Sequence, residues 1–121
     1  MEKRFANTIV IDNSHSIETM LEYLASIQVI APNPEEVCDY LSHYPDIIEL
    51  VMLACEETRS RFSLPTQLSL ELYRDPEIDD KYLTLYVLQS KYEDNFLDKI
   101  EDIRFPYSDE LVDKKGYFLL T

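Results

Sequence analysis

Glycine is almost absent from this sequence, since Gly116 is the only one in 121 residues. Phosphate-binding loops such as the Walker A loop and the GxGxxG turn need several glycines to bring backbone amides close to phosphate oxygens. The sequence therefore excludes both nucleotide-binding motifs. Cysteine is also scarce: Cys38 and Cys55 are too few for a disulfide framework and lack CxxC spacing. We expect both to be ordinary thiols.

Basic residues are few. Eleven Lys and Arg stand against 24 Asp and Glu, which gives a formal net charge of -13 and a pI near 4.4. Such a surface repels a phosphate backbone, so we expect no nucleic-acid partner. No apolar run approaches the roughly 18 to 20 residues of a membrane span, and no signal-peptide pattern opens the chain. These absences predict a soluble cytoplasmic protein with no membrane partner.

Apolar residues make up 45% of the chain, enough for one folded domain. Helical spacing and period-two alternation divide the sequence into elements. In chain order we predict helices over residues 16–30, from Pro34 onward and over 46–62, strands over 68–73 and 82–88, a helix from about residue 92 that Pro106 ends or kinks, and a strand over 117–121. We expect Gly116 to close the last helix. Residues 1–15 are predicted to be flexible or to form a strand.

This order of elements predicts a single α+β domain over residues 1–121, with N-terminal helices packed on a small antiparallel sheet and a C-terminal helix and last strand. The final strand, helix and strand should form a right-handed crossover. Residues 47–55 of the third helix are apolar on nearly every side. Such a helix must be covered by its own sheet and again by a neighbouring helix or another subunit. We therefore predict a homodimer.

The predicted hairpin loop carries four acidic residues within six positions: Asp75, Glu77, Asp79 and Asp80. Alternate acids resemble the start of a calcium loop, because a hard cation takes several oxygen ligands. An EF-hand also needs a glycine at its sixth position, where this chain has Asp80, and a glutamate at its twelfth, where it has Tyr86. A metal-binding module or metal-dependent hydrolase that uses these four acids stays an alternative, with a divalent cation as its cofactor.

Enzyme motifs are otherwise missing from the sequence, which contains no GxSxG and no HExxH. We name no catalytic residue and favour a protein without enzymatic activity.

Three tyrosines of the predicted hairpin, Tyr73, Tyr82 and Tyr86, project from the sheet face opposite its leucines. One interpretation is cross-strand aromatic pairing on a half-exposed sheet. The other is a contact surface, because tyrosine is enriched where proteins meet. Stacking on single-stranded RNA would use a similar face but needs surrounding Lys and Arg, whereas acidic residues surround this one.

The segment from residue 93 to residue 113 carries eight acids against two bases. It can be read as a solvated helix face that keeps the protein in solution. It can also be read as a docking face for a basic partner, because complementary charge speeds encounter and selects partners. The candidate partner-binding residues in this segment are Asp94, Asp98, Glu101 and Asp102.

Residues 71–87, with the sequence ELYRDPEIDDKYLTLYV, resemble a stretch found in small uncharacterised bacterial and archaeal proteins. The resemblance covers the hairpin and implies no activity, cofactor or catalytic residue.

Together these features favour a non-enzymatic protein–protein interaction module, such as an adaptor or an antitoxin-like protein, that engages a basic protein partner. The acidic loop keeps the metal-binding alternative open. A sensor that binds a small apolar ligand between the helices and the sheet is a further alternative.

Overall fold

A computed structural model describes residues 13–77 and 80–121, with side chains from residue 17 onward. Within these residues the elements are α1 (Asn13–Ser26), β1 (Val29–Ile30), α2 (Pro34–His43), a 3₁₀ turn (Pro45–Ile47), α3 (Ile48–Arg61), β2 (Gln67–Asp75), β3 (Asp80–Leu88), α4 (Phe96–Leu111) and β4 (Phe118–Leu120). The predicted α+β class is confirmed. Residues 1–12 of the segment predicted to be flexible or to form a strand lie outside the described residues, whereas residues 13–15 begin α1.

The strands form one sheet in the order β1-β2-β3-β4. The hairpin strands β2 and β3 pair antiparallel, while β1 joins β2 and β4 joins β3 in parallel. Parallel neighbours need a crossover connection; α2 and α3 lie between β1 and β2 in the chain, and α4 lies between β3 and β4. The sheet is therefore mixed, with its antiparallel pair at the centre.

The first helix ends earlier than the spacing predicts, at Ser26 instead of residue 30. Gln28 has a φ of 65°, in the left-handed region, so the chain turns there and leaves the helix. Val29 and Ile30 then pair with β2 as strand β1. The side chain of Arg59 on α3 stabilises this turn by donating to the carbonyls of Ile27 and Gln28.

The helices pack on one face of the sheet. That face is built from alternate, fully buried strand residues, among them Leu68, Leu70, Leu83, Leu85, Val87, Phe118 and Leu120. Arg74 of β2 pairs with Glu36 of α2 at 3.2 Å, and Tyr107 of α4 packs on Phe118 with ring centroids 5.7 Å apart. Arg74 and Phe118 lie on the same side of the sheet as the buried leucines. Both crossovers therefore cover this side, and the described helices leave the other side open.

Gly116 has a different role from the one predicted. Helix α4 contains Pro106 but continues to Leu111, and Gly116 lies beyond its end. Its φ is not positive, so it is not a left-handed helix cap. A Cβ added there would lie 2.7 Å from the Cβ of Tyr44 and 3.0 Å from the Cδ1 of Ile47. Glycine is needed because the chain passes closely over the junction between α2 and α3.

Helix α3 is buried on the side that faces the rest of the domain, through Leu50, Val51, Ala54, Cys55 and Thr58. It contacts both α1 and α4 within the same chain. Leu53 remains 54% exposed on its outer side. The homodimer expected from this helix stays a prediction, and Leu53 is the exposed apolar residue of α3 that a second subunit would have to cover.

Candidate functional site

The open side of the sheet is the candidate site, and we call it the tyrosine face. Its outward strand residues are Ile30 on β1, Gln67, Ser69, Glu71, Tyr73 and Asp75 on β2, Asp80, Tyr82, Thr84, Tyr86 and Leu88 on β3, and Leu119 on β4, with Tyr117 directly before β4. The register places all three predicted tyrosines here, because residues that alternate along a strand share one side of it.

Three of the tyrosines form a continuous row across neighbouring strands. The rings of Tyr73 and Tyr82 have centroids 5.1 Å apart, and Tyr117 meets Tyr82 edge-on at 5.5 Å. The two outer rings are 38% (Tyr73) and 47% (Tyr117) exposed. Burial, followed by the nearby tyrosines and Asp75, raises the pKa of Tyr82 and so favours its neutral phenol.

Sequence reasoning missed Tyr117. The signal that could have found it is its position next to Phe118: in an extended segment the two must project to opposite sides, and Phe118 is the one that joins the core. A strand of three residues gives too little alternation to fix that choice from the sequence.

Three carboxylates share the tyrosine face. Asp75 and Asp80 lie directly opposite each other where the hairpin strands end, and Glu71 lies nearer the middle. Their oxygens accept hydrogen bonds from the Glu77 amide at 2.9 Å, the Lys81 amide at 2.9 Å and the Ser69 hydroxyl at 2.7 Å, respectively. None of the described strand positions on this side carries a lysine or arginine. The face is therefore aromatic and negatively charged.

Thr84 lies at the centre of the tyrosine face and is only 2% exposed. Its strand neighbours are Glu71 on one side and Leu119 on the other. Its hydroxyl is buried and has no hydrogen-bond partner among the described residues. The middle of the face is thus closely packed, and a partner would meet a surface there and not a cavity.

The predicted metal ligands are only partly described. Asp75 and Asp80 point to the tyrosine face, Glu77 is exposed in the loop, and Asp79 lies outside the described residues. Among the residues that the structure describes, no group of three or more His, Cys, Asp or Glu is placed to hold a metal ion. The metal-binding alternative stays a prediction, which calorimetric titration with calcium, magnesium and manganese would test.

The acids predicted on the last helix lie on a separate surface. Asp98, Glu101 and Asp102 are exposed on α4, and Asp94 is exposed just before it. Glu101 pairs with Arg104 at 2.9 Å, and Asp102 lies 3.9 Å from Arg61. Because α4 packs on the covered side of the sheet, these acids and the tyrosine face lie on opposite sides of the domain. A single flat partner cannot contact both.

None of the helices in the described part of the chain combines the length and the apolar character of a membrane-crossing segment. No protein-family model matches the chain, and comparisons with curated proteins and with solved structures give no significant match. The resemblance of residues 71–87 to small uncharacterised proteins stays a prediction.

Proposed function

We propose that the protein is a non-enzymatic interaction module whose tyrosine face binds a basic protein partner in the cytoplasm. One observation supports this most directly: the side of the sheet that the described helices leave open carries a row of three tyrosines with three carboxylates beside it. None of the described strand positions on that side carries a basic residue. Aromatic rings supply contact area at low entropy cost, and the carboxylates select a cationic partner.

Two carboxylates at the end of the hairpin indicate which kind of group a partner would place there. Asp75 and Asp80 are like charges at directly opposite strand positions, an arrangement that destabilises a sheet. A guanidinium from a partner would interact favourably with both carboxylates and relieve their repulsion. The same cation would lie near the Tyr73–Tyr82 pair, where an aromatic face attracts it further. An arginine-bearing segment therefore matches this end of the face better than an apolar one.

An adaptor or an antitoxin-like protein that neutralises a cationic protein is the concrete form of this proposal. The predicted homodimer is a separate matter, because its basis is α3 and not the tyrosine face. Light scattering that gave a 14.3 kDa particle at micromolar concentration would remove the homodimer and leave the interaction proposal standing.

The experiment is a pull-down from the native host with the wild-type protein and two matched variants, followed by affinity measurement with the captured partner. The first variant, Asp75→Asn with Asp80→Asn, changes the tyrosine face. The second, Asp98→Asn with Glu101→Gln, makes the same change of charge on α4. Circular dichroism confirms that both variants fold.

We expect capture of basic proteins that high salt releases, and roughly tenfold weaker binding, about 1.4 kcal/mol, for the tyrosine-face variant alone. A Tyr73→Ala and Tyr117→Ala variant should weaken binding similarly, because both rings are exposed and carry contact area. Equal loss in the α4 variant would show that overall charge, and not this face, governs binding. Failure to capture any basic protein would contradict the proposal.

A further inference from the structure

A long groove runs between α3 and α4 on the covered side of the sheet. The two helices are antiparallel: Phe62 after α3 contacts Phe96 at the start of α4, with ring centroids 5.6 Å apart. At the other end, the Asp46 carboxylate accepts a hydrogen bond from the Lys115 amide at 2.6 Å. The groove has a volume of about 740 Å³. Helix α3, which forms one wall of the groove, has 14 residues and is therefore about 21 Å long, close to four helical turns.

The floor of this groove is apolar. Leu50, Ala54, Ile103 and Tyr107 line it as buried residues, and Leu53 projects into it while remaining 54% exposed. An apolar side chain of a partner could pack against Leu53 and the buried residues beneath it. A flat polar helix surface would offer no such apolar contact.

The rim of the groove is mostly acidic. Five acids line it against two bases: Asp46, Glu49, Glu57, Asp102 and Glu110 against Arg61 and Lys114. Arg61 lies 3.1 Å from Glu57 and 3.9 Å from Asp102, so these two acids are already paired. The carboxylates of Glu49 on α3 and Glu110 on α4 form no hydrogen bond or ion pair with the described residues. Each helical wall thus presents one unpaired carboxylate.

We propose that the α3–α4 groove binds a cationic amphipathic helix of a protein partner. The apolar stripe of that helix would cover Leu53, and lysines or arginines beside the stripe would face Glu49 and Glu110. Helices recognise grooves in this way through anchors at i, i+3, i+4 and i+7. The predicted homodimer would place a second copy of this chain over Leu53 instead, so the two occupants are alternatives; we favour the cationic helix because a second copy carries the same net charge of -13. The proposal goes beyond the tyrosine face and does not depend on it.

The test uses a fluorescent peptide of about 18 residues, long enough to form a helix, with leucines on one helical side and lysines on the other. Its binding is followed by fluorescence anisotropy, and its helix formation by circular dichroism. A scrambled peptide of equal composition is the first control. Because composition and charge are unchanged, we expect it to bind at least about tenfold more weakly. Equal binding of the two peptides would overturn the proposal.

Leu53→Glu is the decisive variant, since it removes the apolar anchor and adds negative charge. Attraction by charge alone would make the peptide bind more tightly, whereas groove binding predicts roughly tenfold weaker binding. Tighter or unchanged binding would overturn the proposal. Leu53 is exposed and glutamate favours helices, so the variant should fold.

A second pair of variants makes the same test without touching the apolar floor. Glu49→Gln with Glu110→Gln should weaken the peptide complex more than Glu22→Gln with Glu35→Gln, which makes an equal charge change at exposed positions on α1 and α2. Equal weakening would overturn the proposal. So would light scattering that showed a dimer dissociated by Leu53→Glu, because a second copy would then occupy the groove. The Tyr73→Ala and Tyr117→Ala variant should bind the peptide like the wild type.

Discussion

Arg59 is only half-buried, yet we expect its replacement to lower the free energy of unfolding substantially. Its guanidinium donates hydrogen bonds to four backbone carbonyls: Gln28 and Phe62 at 2.8 Å, and Ile27 and Thr66 at 3.1 Å. Two of these carbonyls follow α1 and two lie around the loop between α3 and β2. Burial lowers the pKa of Arg59, yet a guanidinium stays protonated at neutral pH. One side chain therefore joins two loops distant in sequence.

Arg59→Met keeps most of the aliphatic stem and removes every donor. A hydrogen bond that involves a charged group contributes about 1.5–3 kcal/mol, and a neutral one about 1 kcal/mol. Because Arg59 is only half-buried, water replaces part of what is lost. We therefore expect the free energy of unfolding to fall by about 2–4 kcal/mol, a large part of the roughly 5–15 kcal/mol typical of a domain. The melting temperature should fall by roughly 10 °C.

Urea denaturation followed by circular dichroism measures this change, and Arg61→Met is the matched control. Arg61 bonds Glu57 at 3.1 Å on the surface, so its loss should cost less than about 1 kcal/mol. Arg59→Lys should resemble Arg59→Met, because one ammonium cannot reproduce the planar set of donors. If Arg59→Met lowered the free energy of unfolding no more than Arg61→Met, water would satisfy the four carbonyls as well as the guanidinium does, contrary to our expectation.

Three further predictions concern buried groups. Thr84→Val should raise the free energy of unfolding by about 1 kcal/mol, because it removes an unpartnered buried hydroxyl without changing the side-chain shape; a loss of stability in urea denaturation would contradict this. Gly116→Ala should lower it by about 1–3 kcal/mol, since the new Cβ would meet Tyr44 at 2.7 Å; unchanged stability would show that the chain shifts freely. At mildly alkaline pH, a thiol reagent should label Cys38 in the folded protein but Cys55 only on unfolding, because burial raises the pKa of Cys55 to about 12. Equal labelling rates would contradict this burial.

The hairpin was predictable because one side of each strand is buried, which forces period-two alternation on the sequence. Strand β1 was not. Ile27 and Ile30 continue the i, i+3 spacing of the helix before them, so the local sequence favours more helix. What makes Val29 and Ile30 a strand is pairing with β2 and the hydrogen bonds from Arg59, and both come from residues more than thirty positions away. The apolar spacing within one segment of sequence cannot indicate contacts with residues so far away.

The candidate sites, too, were predictable from the sequence only in part. Alternation alone placed Tyr73, Tyr82 and Tyr86 on one side of the sheet. The opposition of Asp75 and Asp80 depends on the exact hairpin register, which the apolar pattern indicates only approximately. The α3–α4 groove could not be predicted at all, because it exists only once two helices from distant parts of the chain have packed side by side.

The sheet layout divides the described chain after α1 into two halves, which meet at the ladder between β2 and β3 and again where α3 packs against α4. One half runs from β1 through α2 and α3 to β2, and the other runs from β3 through α4 to β4. The tyrosine row crosses this division, with Tyr73 in the first half and Tyr82 and Tyr117 in the second. A partner bound to that row would hold both halves at once. Its binding free energy would then add to the stability of the whole chain, so that recognition and integrity of the fold are thermodynamically linked.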